Sequence, residues 1–349
     1  MKILILSPWE NDWNENVVGA PLNYYLLNEL RKYKNTIVDW VFCGSSKYKP
    51  YENINFINFR DFKASKYDLI IAFSHQFHNI ALEISREHNI PYINEHFGIV
   101  LNPLVWNINS FYIKIRYKQL LNSFKKQANF YIIWEDGTNG SLFAMLLGIP
   151  SYKIKLYEHP KPDFLKIEPV YRKEGCINVG YCGAISKYKG EKIILEIFEK
   201  ILKYKNIHLI VLLKGENKKL YKLQGKYKNI TIISNLPYFQ NYKFYSSIDF
   251  LINPVHYGNM TLPTIEALFY SKPVIAFDIS IWTKIKHLEN GILVRKFDID
   301  EFVNSVYSLS KDEALLKKLS KNASKTLENT PTFSHLIEEK VKFLLDFKI

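Results

Sequence analysis

Between residues 253 and 268 the chain reads Asn253-Pro254-Val255-His256-Tyr257-Gly258-Asn259-Met260-Thr261-Leu262-Pro263-Thr264-Ile265-Glu266-Ala267-Leu268. A strand ending near Pro254 would give way to an irregular loop. Thr261 is then placed to cap a helix that has Pro263 in its first turn. Unpaired N–H groups at such a helix start, here Met260 to Leu262, make an anion site. Glu266 lies one turn inside, where its carboxylate reaches toward ribose hydroxyls or stays an ordinary solvated helix acid. A second segment, Val179-Gly180-Tyr181-Cys182-Gly183-Ala184-Ile185-Ser186-Lys187-Tyr188-Lys189-Gly190, runs from an apolar strand into a loop. Gly183 there permits close approach of backbone to a ligand. Lys189 offers a compact point charge.

These segments need a scaffold, and the spacing of apolar runs describes one. Short runs alternate with longer amphipathic stretches, the pattern of βαβ units and a parallel sheet. In the first half the runs are Ile3–Leu6, Thr36–Phe42, Leu69–Phe73, Tyr92–Asn94 and Phe130–Trp134, with helical patterns such as Leu22–Lys32 and Ile80–His88 between them. The grammar restarts with Ile177–Tyr181, Ile207–Leu213, Ile230–Ile233, Phe250–Ile252, Pro273–Ala276 and Ile292–Val294. Prolines 160 and 162 mark the connection between the halves. At 349 residues the chain has room for two α/β domains. The expected division is 1–165, 170–330 and a C-terminal helix within 331–349 that crosses back to the first domain.

Composition narrows the class. Hydrophobic residues make up 47% and charged residues 23%, which excludes a disordered chain. Lysine and arginine outnumber acids by 19 to 16 through residue 168 and by 28 to 18 beyond it, out of a net charge of +13. A basic second half suits a nucleoside diphosphate, nucleic acid or anionic lipid, or is a solvated lysine-rich surface. Cys43, Cys176 and Cys182 form neither a disulfide framework nor a metal-ligand spacing. With no membrane-spanning apolar run and no secretory leader pattern, the sequence reads as cytoplasmic.

The segment 253–268, with Ser271-Lys272-Pro273-Val274-Ile275-Ala276 and Glu289-Asn290-Gly291-Ile292-Leu293-Val294, resembles the signature of glycosyltransferase family 4, the glycosyl transferases group 1. Asn322-Ala323 continues the likeness, and Val179 to Gly190 resembles the strand and loop that end in Lys-Gly in that family. The resemblance implies a GT-B architecture, two facing Rossmann-like domains with a central cleft. It also implies a retaining, metal-independent transfer of sugar from a UDP- or GDP-sugar to a glycan, lipid-linked or protein-linked acceptor, with no further cofactor. Lys189 would face the pyrophosphate, Glu266 the ribose, Leu236 the base, and Gly19 a glycine loop before the first helix. His96 stands where many members carry a histidine after a strand end, on the acceptor side. Glu135-Asp136 is a further acceptor-side candidate. Asn290-Gly291 is read as a tight turn with a structural role.

Some positions depart from the pattern. The first of the family's paired glutamates falls on Gly258, Asn259-Met260-Thr261 replaces Gly-Phe-Gly, and Ala184 replaces an arginine. Lys187 or His256 is a candidate to compensate. Residues 110–127 hold apolar and basic residues at helical spacing, suited to an anionic membrane surface or to packing on their own core. No nucleic-acid module is recognisable. Two other readings share the fold: a nucleotide-sugar 2-epimerase, and a binding protein that has lost turnover.

Overall fold

The computed structural model describes residues 1–7, 21–43, 50–63, 66–73, 75–97, 115, 118, 121, 126–135, 139–187, 189–255, 261–279 and 283–347. The chain divides into two compact units, one running to His159 and resuming at Phe333, the other formed chiefly by Pro160–Thr332.

In the first unit the described strands are β1 (Lys2–Ser7), β2 (Ile37–Phe42), β3 (Ile54–Asn58), β4 (Leu69–Phe73), β5 (Tyr92–Phe97), β6 (Phe130–Glu135) and β7 (Ile154–Glu158). They pair in parallel in the order β3-β2-β1-β4-β5-β6-β7. Every residue of β4 is buried, as a strand covered on both faces requires. The sequence reading passes over β3 and β7, and these are the two edge strands. Their residues are mostly half-exposed, so neither carries the continuous apolar run that marks an interior strand. It also stops β5 at Asn94, whereas the strand continues to Phe97, so His96 lies within it.

The sheet is covered by α1 (Leu22–Leu30), α2 (His78–His88), α3 (Gly140–Leu146) and, from the far end of the chain, a helix over Phe333–Asp346. That last helix buries Leu336, Ile337, Val341 and Leu344 in one cluster with Leu26, Leu27 and Leu30 of α1 and Trp40 of β2. Its apolar stripe follows the spacing that puts side chains on one helical face.

In the second unit each of the six apolar runs forms a strand: β8 (Ile177–Gly183), β9 (Ile207–Leu213), β10 (Ile230–Ser234), β11 (Phe250–Asn253), β12 (Val274–Asp278) and β13 (Gly291–Arg295). All are parallel, in the order β10-β9-β8-β11-β12-β13. The order reverses between β8 and β11, and crevices at such a switch point are where open α/β sheets receive ligands. The helices are α4 (Glu191–Ile201), α5 (Lys218–Lys226), α6 (Tyr242–Ser247), α7 (Leu262–Phe269), α8 (Ile299–Leu309) and α9 (Glu313–Lys325), so the helix already described over Phe333–Asp346 is α10. Asn217, Asp298 and Asp312 cap α5, α8 and α9 by accepting from backbone N–H groups three residues on.

Asn290-Gly291 is not the tight turn read from the sequence. Leu288 takes the left-handed backbone of this turn, and Gly291 opens β13. A side chain there would come within 2.5 Å of the Val274 carbonyl oxygen, so close packing against β12 requires glycine.

Candidate functional site

Strand β8 delivers Cys182 and Gly183 to the carboxyl end of the second sheet. Gly183 has φ +146°, a backbone that side chains rarely adopt. Beyond it the loop closes on itself, since Lys189 and Glu191 both donate backbone N–H groups to the Ser186 carbonyl at 3.0 Å. Gly190, at φ +87°, then releases the chain into α4. The neighbouring loop after β9 is pinned to the first, with the Lys214 N–H donating to the Gly183 carbonyl at 3.3 Å. Gly215 turns with φ +83°, and its N–H reaches the Asn235 side chain at 3.2 Å. On the other side of the switch point, Asn253 at the end of β11 contacts the hydroxyls of Thr261 and Thr264 at 3.4 and 3.3 Å. These contacts fasten the start of α7 to its strand.

The ends of β8 and β9, the segment after β10 and the start of α7 border a cavity of about 190 Å³. It is lined by Gly183, Ala184, Lys189, Leu236, Leu262 and Glu266, with Cys182, Lys214, Tyr238 and Asn241 among the others. Five of the residues singled out from the sequence therefore share one cavity. Thr261 stands at the cap of α7 and does not line it. Lys187 is exposed and does not line it. Gly19, Met260, Gly258 and His256 lie outside the described residues, as does nearly all of 110–127.

The interior of the cavity is polar only at chosen points. Glu266 is 3% exposed, and burial pushes its carboxyl up to about 7. Hydrogen bonds from Tyr245, Tyr238 and Asn241 draw it partly back, the Tyr245 hydroxyl donating to Oε2 at 2.6 Å. Tyr245 is itself buried and stacks on Tyr270 at 5.5 Å. Burial raises the Cys182 thiol to about 12, so it remains protonated and is no nucleophile. Lys189 is half-buried; desolvation lowers its pKa, and the charge of Lys214 lowers it further. Among the described residues neither ammonium has a carboxylate or hydrogen-bond partner.

At the start of α7 the N–H groups of Thr264 and Ile265 turn back to the Thr261 carbonyl, and Pro263 has none. The Leu262 N–H is the described first-turn amide still open to an anion.

In the first unit, His96 is 2% exposed on β5. Beside it the Glu95 carboxylate meets Lys340 of α10 at 2.7 Å and accepts from the Trp134 indole at 2.7 Å. Glu135, read as an acceptor-side candidate, accepts from the Ser141 N–H at 2.9 Å at the start of α3. Asp136 lies outside the described residues. Sequence reasoning missed Tyr238, Asn241 and Tyr245, which line or support the cavity from the segment between β10 and β11. Among 24 tyrosines these two do not stand out.

Residues 166–326 match the family described as glycosyl transferases group 1. The capsular polysaccharide biosynthesis glycosyltransferase CapM of Staphylococcus aureus is 27% identical over 193 residues, covering 53% of this chain and 50% of CapM. The chain thus spans about half the length of the curated relatives it matches. Among solved structures, a sucrose-phosphate synthase from Thermosynechococcus elongatus superposes with a TM-score of 0.78 at 15% identity, covering 98% of each chain. HepE of Anabaena, in complex with UDP and glucose, superposes with a TM-score of 0.72 at 13% identity, over 99% of this chain and 100% of that one. These likenesses establish the fold as the GT-B class of two Rossmann-like units. Through residues 166–326, the chain is similar to the glycosyl transferases group 1 family.

Proposed function

We propose that the chain is a nucleotide-sugar-dependent glycosyltransferase that retains anomeric configuration without a metal and passes a sugar to a glycan, lipid-linked or protein-linked acceptor. The observation that carries this reading is the cavity at the switch point of the second sheet, where Lys189, the Leu262 N–H and Glu266 converge. Breaking the bond between an anomeric carbon and a diphosphate leaves charge on the diphosphate oxygens. A fixed cation and a fixed amide dipole aimed at those oxygens stabilise that charge as it develops. Ionised Glu266 accepts only, which suits it to two ribose hydroxyls. Leu236 offers an apolar flank to the base. Gly183 keeps the β8 loop thin, leaving space where a side chain would come within 4.0 Å of the Lys189 ammonium. His96, in the first unit, carries the acceptor-side role that the family resemblance implies. The complex of HepE with UDP and glucose supports a uridine diphosphate sugar as the first donor to try.

The test is thermal shift against UDP- and GDP-sugars, followed by product analysis with any donor that binds. A donor that binds only the folded chain raises its melting temperature by mass action. Slow hydrolysis or transfer, lost in Lys189→Ala, is the expected result. Absence of any shift would defeat the reading. Ala184 gives the cavity an uncharged methyl where the family pattern has an arginine, which favours one alternative, a nucleotide-sugar-binding protein without turnover. Binding with neither hydrolysis nor transfer would select it.

A further inference from the structure

The two lysines of the cavity pose a physical problem. Lys189 and Lys214 are near enough for the charge of one to lower the pKa of the other, and both line the same small space. Among the described residues neither ammonium is met by a carboxylate, although this chain pairs lysines elsewhere, as Lys219 with Glu191 and Lys226 with Glu199. Among the described residues the one acid that lines the cavity is Glu266, which is buried against Tyr245 and held largely in its neutral form below about pH 7. Two like charges held together without a counterion cost free energy in the empty protein.

The chain holds them there by construction. The Lys214 N–H is bonded to the Gly183 carbonyl, and the turn at Gly215 is tied to Asn235. The Lys214 loop is therefore fastened to the same strand end that supports the Lys189 loop. Ala184, which follows Gly183 and lines the same cavity, contributes no charge.

We propose that Lys214 is the second cation of the diphosphate site, acting with Lys189 to neutralise an anion carrying two or more negative charges. The inference rests on the donor-binding reading above and adds a residue to it. Lys189 is half-buried, whereas Lys214 is exposed.

The experiment titrates UDP, GDP and the nucleosides uridine and guanosine into the wild type, Lys214→Gln, Lys222→Gln and Lys214→Gln with Ala184→Arg. Lys222 is exposed and does not line the cavity, so it controls for net charge. Lys214→Gln is expected to weaken the bound diphosphate on the order of tenfold or more, the worth of one hydrogen bond to a charged group. Nucleoside affinity should stay the same, and the salt dependence of diphosphate binding should become shallower. Ala184→Arg in that background should restore part of the loss. Equal diphosphate affinity in Lys214→Gln and wild type would overturn the assignment. So would an equal loss in Lys222→Gln, or a parallel loss of nucleoside binding. If the wild type binds neither diphosphate, the donor-binding reading itself falls, and this inference with it.

Discussion

In the proposed donor site Glu266 must stay buried to be positioned and must ionise to hold two hydroxyls. Its carboxyl titrates near 7 in the folded chain against an ordinary 4.5, because burial outweighs three hydrogen bonds. Between those values the folded state binds a proton that the unfolded chain has lost, so stability falls as pH rises from about 4.5 to about 7 and levels off above. The span corresponds to on the order of 3 kcal/mol. Glu266→Gln should remove this slope: its melting temperature relative to wild type rises across that window, read by thermal denaturation at several pH values. The same ionisation predicts that wild-type affinity for a nucleoside diphosphate increases through pH 7, and that Glu266→Gln binds weakly at every pH. A parallel pH profile in the two proteins would mean another group controls the titration.

At the level of elements, the second unit depends on close backbone approach between neighbouring strands. Gly291 pairs with Val274, and an added Cβ would meet the Val274 carbonyl oxygen at 2.5 Å and Ile285 Cγ2 at 2.8 Å. The first contact is with backbone, which cannot rotate away. Gly291→Ala should therefore cost roughly 3 kcal/mol, the upper part of the range for overpacking. At Gly180 the corresponding contacts are with the side-chain ends of Ile248 and Phe244, which can move. Gly180→Ala should be the milder change, and chemical denaturation of both variants orders them. Had Gly291 been the turn residue that Asn290-Gly291 implied, its replacement would have strained φ without touching β12.

For the molecule as a whole, the last helix belongs to the first unit although the second unit lies between them in sequence. One link is apolar, through Leu336, Ile337, Val341 and Leu344. The other is Lys340, 2% exposed, which meets Glu95 at 2.7 Å and lies 5.3 and 5.4 Å from the ring centres of Phe73 and Trp134. Lys340→Met leaves a buried carboxylate without its cation and should cost about 3–5 kcal/mol. Lys340→Met with Glu95→Gln removes both charges, keeps an acceptor for the Trp134 indole, and should recover most of that loss in equilibrium unfolding. If the double variant is as unstable as the single, packing and not charge holds this helix in place.

The parallel order of the second sheet was legible because its strands are buried on both faces and read as unbroken apolar runs. Gly183, Lys189 and Glu266 were legible because they stand at fixed offsets from those strand ends, where backbone geometry limits what fits. The edge strands β3 and β7 were not, because their partly exposed residues form no continuous apolar run. Nor could spacing identify Tyr245 as the partner of Glu266, or Glu135 as an acceptor at the start of α3, since each is a contact between separately formed elements. Local sequence determined the elements and the helix start, both properties of a few adjacent residues. Only tertiary structure decided that Lys214 joins the cavity while Lys187 does not, because that depends on which loop a neighbouring strand carries to the same edge.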